Sequence, residues 1–159
     1  MVKGIILEKG ERYYTFLRTV FSAIENIQMK YNWLITDCDC IPRTDSFAEM
    51  LHRNNYCFLS GKELTAMIEA EDFQWIWAVL SRFDKSIPLE EVLKYELPFA
   101  DAHVGFWKNP VSIQHPLADI EIVPWDSSLT LIISKDDGII NNFRKAFPLS
   151  EDLAEHNAK

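Results

Sequence analysis

Two groups of side chains have the types and spacing of chemistry. The first is the run Thr36-Asp37-Cys38-Asp39-Cys40, where two of the chain's three cysteines alternate with two carboxylates. If the run is extended, Cys38 and Cys40 point to one face and Asp37 and Asp39 to the other. With His52 and Cys57 downstream, Cys38 and Cys40 complete a set of four ligands of the kinds zinc takes. The single residue between Cys38 and Cys40 is shorter than the usual spacing of about two to four, which lets both sulfurs turn to one metal. Phe58 and Leu59 give Cys57 a second reading, as a small buried hydrophobe in a strand. No C-x-x-C pair is present to run dithiol chemistry.

The second group is Asp101, His103 and His115. It brackets residues 102–118, a stretch without a single acid inside a strongly acidic region. Two imidazoles and a carboxylate suit a facial metal site. They suit equally a base with its orienting acid, with Ser112 or water as nucleophile. The bland alternative is that Phe106, Trp107 and Ile113 pin this long segment to the core while the histidines sit half-exposed.

A third set has the chemistry of binding. Trp107 and Trp125 fall in expected loops, where aromatic side chains anchor partners or cap a core. The acids Glu96, Asp101, Asp119 and Asp126 stand around them in sequence. Between Glu63 and Asp126 there are twelve acids and four bases, whereas the rest of the chain balances, so the net charge of −8 belongs to the middle. That polarity argues against nucleic acid, whose phosphates need Lys and Arg. It fits steering toward a basic protein, or a surface that is merely well solvated.

The elements that must position these groups can be read from periodicity. Residues 2–8 form a strand, and a helix from about Glu11 to Ile27 follows, with Phe16, Leu17, Val20, Phe21, Ile24 and Ile27 on one face. Trp33 to Ile35 is a short strand leading into the cysteine run. Phe47 to His52 reads as a short helix and Tyr56 to Leu59 as another strand. Ser60-Gly61-Lys62-Glu63 has the form of a capping box opening a helix to about Ala70. Residues 73–83 match a helix and a strand template. Their aromatic and β-branched content favours a central strand buried on both faces. Pro88 opens a helix through Tyr95. Residues 119–124 and 129–134 make a hairpin around Trp125 to Ser128, and Ile139, Ile140, Phe143 and Phe147 form the apolar face of the last helix. The expected fold is α+β: a single domain over residues 1–149, a mixed or mostly antiparallel sheet with helices against it, then a polar and mobile tail over 150–159.

With 159 residues and five glycines, the chain holds no phosphate loop, no dinucleotide fingerprint, no H-E-x-x-H and no nucleophile elbow. No apolar run approaches a membrane span, the N-terminal one is too brief for a signal peptide, and three cysteines suit a reducing cytoplasm.

The segments KGIILE at the start, YNW at 31–33, LSGKEL at 59–64, the aromatic strand from Phe73 and VPWDSSLTLIISKDDGII at 123–140 are similar, in order, to a domain family of unknown function from Gram-positive bacteria. The stretch 95–118 has no counterpart in it. The resemblance implies a small cytosolic α+β protein and carries no active site over. In build, being small, acidic and rich in aromatics, the chain also resembles the immunity proteins of bacterial toxins. The expectation is a non-enzymatic module without cofactor that occludes a basic partner through Glu96, Asp101, Asp119 or Asp126, anchored by Trp107 or Trp125. The alternative is a small metal-dependent or ligand-binding enzyme centred on Asp101, His103 and His115. Oligomeric state is left open by the sequence.

Overall fold

A computed structural model describes residues 1–159. Seven strands form one sheet: β1 (Lys3–Leu7), β2 (Asn32–Cys40), β3 (Tyr56–Ser60), β4 (Trp75–Phe83), β5 (Ile120–Trp125), β6 (Leu129–Ser134) and β7 (Glu151–Asp152). Their order is β3-β2-β4-β5-β6-β1-β7, and every pairing is antiparallel. The aromatic run therefore becomes an interior strand, β4, hydrogen-bonded on both sides.

Helices α1 (Leu17–Ala23), α2 (Asp45–His52), α3 (Gly61–Ala70) and α5 (Asp137–Ala146) cover one face of the sheet. Alternation along the strands sends Ile5, Leu7, Trp33, Ile35, Ala78, Leu80, Ile120, Ile122 and Ile132 into the core beneath them. Burial of that apolar area is the main stabilising term of the domain. The α3 entry carries the expected capping box: Glu63 N–H donates to Ser60 Oγ at 3.1 Å and Ser60 N–H to Glu63 Oε1 at 3.0 Å. Gly61 cannot carry a side chain, because a Cβ there would collide with the Gln28 carbonyl of the turn packed above.

The opposite face is covered by chain with little regular structure. After a single helical turn, α4 (Leu89–Val92), residues 93–119 run across the sheet as a strap, with one 3-10 turn at Val104–Trp107. Ala100 and Phe106 of the strap, with Trp107, Val111 and Ile113, pack on Ile6, Val79, Val123, Leu131 and Ile133. A short helix, α6 (Leu153–Asn157), closes the same core with Leu153. No helix is long and apolar enough to cross a membrane.

Three elements differ from the sequence reading, each for a tertiary reason. The first helix starts at Leu17, because Thr15 is drawn into β4: its Oγ1 donates to the Trp75 carbonyl at 2.6 Å and its own carbonyl accepts from Trp75 N–H at 3.1 Å. The helix expected through Tyr95 stops at Val92: the amides of Lys94 and Tyr95 bond only three residues back, to Glu91 and Val92 at 3.3 and 3.4 Å, and the Val92 carbonyl also accepts from His115 Nε2 at 2.8 Å. Residues 150–159, expected as a mobile tail, carry β7 and α6. Leu153 is fully buried there, and Asp152 caps the helix by accepting from Glu155 N–H at 3.0 Å.

Candidate functional site

The cysteine run extends β2 to its end, with register shifts against β4 between Thr36 and Cys40. Asp37 adopts a left-handed φ of 49°, which kinks the strand there. Cys38 and Cys40 share a side, as alternation predicts, and their sulfurs stand 3.5 Å apart. Cys57 lies buried on β3, and His52 at the end of α2 meets the Cys40 carbonyl through Nε2 at 3.0 Å. All three cysteines are free. The hydrogen bond to Cys40, with burial, raises the Cys38 thiol above its ordinary range, and burial pushes Cys57 up to about 11. Both are held as thiols, the unreactive form. No three His, Cys, Asp and Glu side chains in the protein come together as a metal-holding group.

Asp101, His103 and His115 are separated by the strap's path. His115 is buried against Phe83 and Tyr95, with ring centroids 4.8 and 5.2 Å away. Both its nitrogens are used: Nε2 donates to the Val92 carbonyl, and Nδ1 accepts from Leu117 N–H at 3.1 Å. Burial lowers its pKa, so it is a neutral packing residue. His103 is half-buried between Phe99 and Phe106, at 4.9 and 4.5 Å, and burial lowers its pKa too. Asp101 is exposed.

Glu96 and Asp101 lie exposed on the strap, while Asp126 lies exposed in the hairpin turn. Asp119 is committed: its two oxygens each take an Arg82 N–H at 2.8 Å, and Arg82 is buried and stacked 3.7 Å over the Tyr31 ring. Asp119 and Asp126 flank opposite ends of β5, roughly 20 Å apart at the rise of a strand. Trp107 and Trp125 are half-buried and meet edge-on at 5.5 Å, and Trp77 meets Trp125 edge-on at 5.1 Å. They cap the second core.

The surface that stands out was not singled out by sequence reasoning. Leu93, Tyr95, Phe99 and Val104 are exposed by 38%, 40%, 46% and 62%, so four of the chain's nine exposed large hydrophobics fall within twelve residues of the strap. They are held rather than dangling. Phe99 exchanges two hydrogen bonds with the Gln114 amide, N–H to Oε1 at 3.1 Å and Nε2 to carbonyl at 2.9 Å. Tyr95 rests on His115. Asp37, through Oδ2, accepts from the N–H groups of Ala100 and Asp101 at 2.8 and 3.0 Å and so fixes the strap to β2. Glu90, Glu96 and Asp101 are exposed along the same stretch, and Glu91 pairs with Lys94 at 2.7 Å. The sequence signal was available in the strap's aromatics, but periodicity says nothing about exposure in irregular chain.

Beneath the strap lies Glu121, fully buried on β5. Its Oε2 accepts from Gln114 N–H at 2.6 Å, and burial pushes its pKa up to about 7. An open groove of about 450 Å³ lies elsewhere, between α1 and α5, lined by Thr19, Glu25, Asn142, Lys145 and Phe147 among others. It contains no Ser–His or Cys–His pairing.

Fold and surface together define an α+β domain whose sheet carries helices on one face and a pinned, apolar and acidic strap on the other. The chain belongs to the family described as a protein of unknown function, DUF2691, whose family model matches residues 2–103. The match runs from β1 to the middle of the strap. No curated protein and no solved structure matches the chain.

Proposed function

We propose that the protein is a binding module for a basic protein partner, with residues 93–104 of the strap as its working surface. The observation that carries this reading is the clustering of Leu93, Tyr95, Phe99 and Val104 at the surface of a segment tied down by Asp37 and Gln114. Exposed apolar side chains concentrated in one short segment, with acids beside them, have the makeup of a protein interface. Pre-ordering by Asp37 and Gln114 lowers the entropy cost of docking. The exposed acids Glu90, Glu96 and Asp101 steer a partner of opposite charge. Trp107, Trp125 and Asp126 act at the rim if the partner is large, whereas Asp119 serves Arg82.

Occlusion of a basic partner's active surface, as immunity proteins perform, is the concrete form of this reading. The net charge of −8 and three free thiols support a cytoplasmic setting. The enzyme reading centred on Asp101, His103 and His115 draws no comparable support, since His115 spends both nitrogens on the backbone. Affinity capture with the wild-type protein and with Phe99→Ser/Val104→Ser tests the proposal. A basic protein retained by the wild type and lost by the variant is expected, and equal capture by both would refute this surface.

A further inference from the structure

Gln114 joins the buried side of the strap to its exposed side. Its backbone N–H donates to Glu121 Oε2 at 2.6 Å, while its side-chain amide clasps the N–H and C=O of Phe99. The chain around it is lightly tied. Between Pro110 and Pro116 no backbone-to-backbone bond joins the strap to a strand, and the hydrogen bonds that reach this stretch from the sheet come from Glu121 alone. Apolar contacts of Val111 and Ile113 do the rest.

The buried carboxyl is poorly provided for in its charged form. Ser81 faces it from β4 and Ile133 from β6, and neither carries charge. From the strap come the amides of Gln114 and His115. The His115 ring is neutral and engaged with the Val92 carbonyl and the Leu117 amide, and Tyr95 packs on that ring. Arg82 and Asp119 are spent on each other, and Asp37 on the amides of Ala100 and Asp101. No cation therefore faces Glu121, and its Oε1 has no partner at all. Burial raises its pKa to about 7, and the two strap amides oppose that rise only in part. Water is the partner the carboxylate lacks, and the strap is what keeps water out.

We propose that the strap is a pH-controlled element: loss of the Glu121 proton loosens the strap around Gln114, and Gln114 passes the change to Phe99. With Glu121 protonated the strap lies closed and Phe99 is held. With Glu121 ionised, lifting residues 111–116 hydrates the carboxylate, so the open form gains weight as pH rises through neutrality. Opening withdraws the Gln114 clasp and leaves Phe99 on freely moving chain. The consequence for binding, tighter at acid pH because the anchor is pre-ordered, rests on the reading of Phe99 given above. The switch itself is measured without a partner, so the two fail separately.

Hydrogen exchange of the full chain across pH tests it. Protection of the Gln114 and Phe99 amides, corrected for intrinsic exchange, should fall about 70-fold from about pH 5 to about pH 8, since opening gains about tenfold per pH unit between 4.5 and about 7. These amides should be less protected than those of β4 at every pH, as expected of local opening. Glu121→Gln, which keeps an acceptor for Gln114 N–H, should abolish the fall at both positions. Gln114→Ala, which keeps that N–H, should retain the fall at residue 114 and lose it at Phe99. Protection that does not change with pH overturns the proposal, as does a fall that survives Glu121→Gln. Strap amides protected as strongly as β4 would show opening only by global unfolding, which also overturns it. A Phe99 amide that keeps its full pH dependence in Gln114→Ala overturns the relay.

Discussion

Ser81 and Glu121 face each other across β4 and β5, on the sheet face that the strap buries. Ser81 Oγ and Glu121 Oε1 both lack a hydrogen-bond partner, and Thr36 Oγ1 on the same face of β2 lacks one too. A row of polar groups has thus been sealed under chain that is tied down at Asp37 and Gln114.

The sealed carboxyl sets a pH dependence. Glu121 titrates at about 7 in the folded protein against 4.5 for an ordinary glutamate. The folded state therefore holds this proton to higher pH than the unfolded state does. Ionisation costs nothing below pH 4.5, destabilises progressively between 4.5 and about 7, and costs its full amount above. Glu121→Gln removes the charge and keeps an acceptor for Gln114 N–H. It should raise stability by about 3 kcal/mol above neutral pH and have little effect near pH 4. Urea melts of both proteins across that range check the sign.

Asp37 is the strap's anchor on β2. Asp37→Ala removes both acceptor bonds to Ala100 and Asp101 and leaves a non-glycine residue at φ 49°. A loss of about 1–2 kcal/mol is expected, with faster hydrogen exchange over residues 98–104. Asp37→Asn tolerates the left-handed backbone, keeps one neutral acceptor and should lose less.

Arg82 and Asp119 behave as a structural pair. Asp119→Ala strands a buried guanidinium and should cost about 2–3 kcal/mol by denaturant unfolding. Arg82→Lys should also destabilise, since an ammonium neither bridges both oxygens nor stacks flat on Tyr31. Asp119→Ala should leave the steering of a partner by Glu96 and Asp101 in place.

The cysteine pair should react slowly. Cys38 is half-exposed, yet its thiol is shared with Cys40 and resists ionisation. Iodoacetamide at mildly alkaline pH should label Cys38 well below the rate of a free thiol, and Cys40→Ala should accelerate it.

Most of the framework was legible because it rests on local rules. The capping box at Ser60, the hairpin around Asp126 and the doubly buried strand from Trp75 follow from spacing and residue type. What stayed hidden depends on distant neighbours. Glu121 alternates with Ile120 and Ile122 and so reads as a solvent-facing residue, until a strap with no periodicity covers it. Thr15, before the first helix, bonds to Trp75, and Val92, at the end of α4, meets His115, residues distant in the chain. His103 and His115 read as ligands by type, and only burial shows that aromatic rings claim them. The apolar surface at 93–104 is invisible to sequence patterns, because exposure of irregular chain is decided by what it packs on.

The most direct measurement of the central claim is a titration of the captured basic partner with the wild-type protein and with Phe99→Ala, at low and high salt. A loss of at least about tenfold in affinity is predicted for Phe99→Ala, with wild-type binding weakening as salt rises. An unchanged Kd for Phe99→Ala, in a protein with an intact melting profile, would contradict the strap as the binding surface.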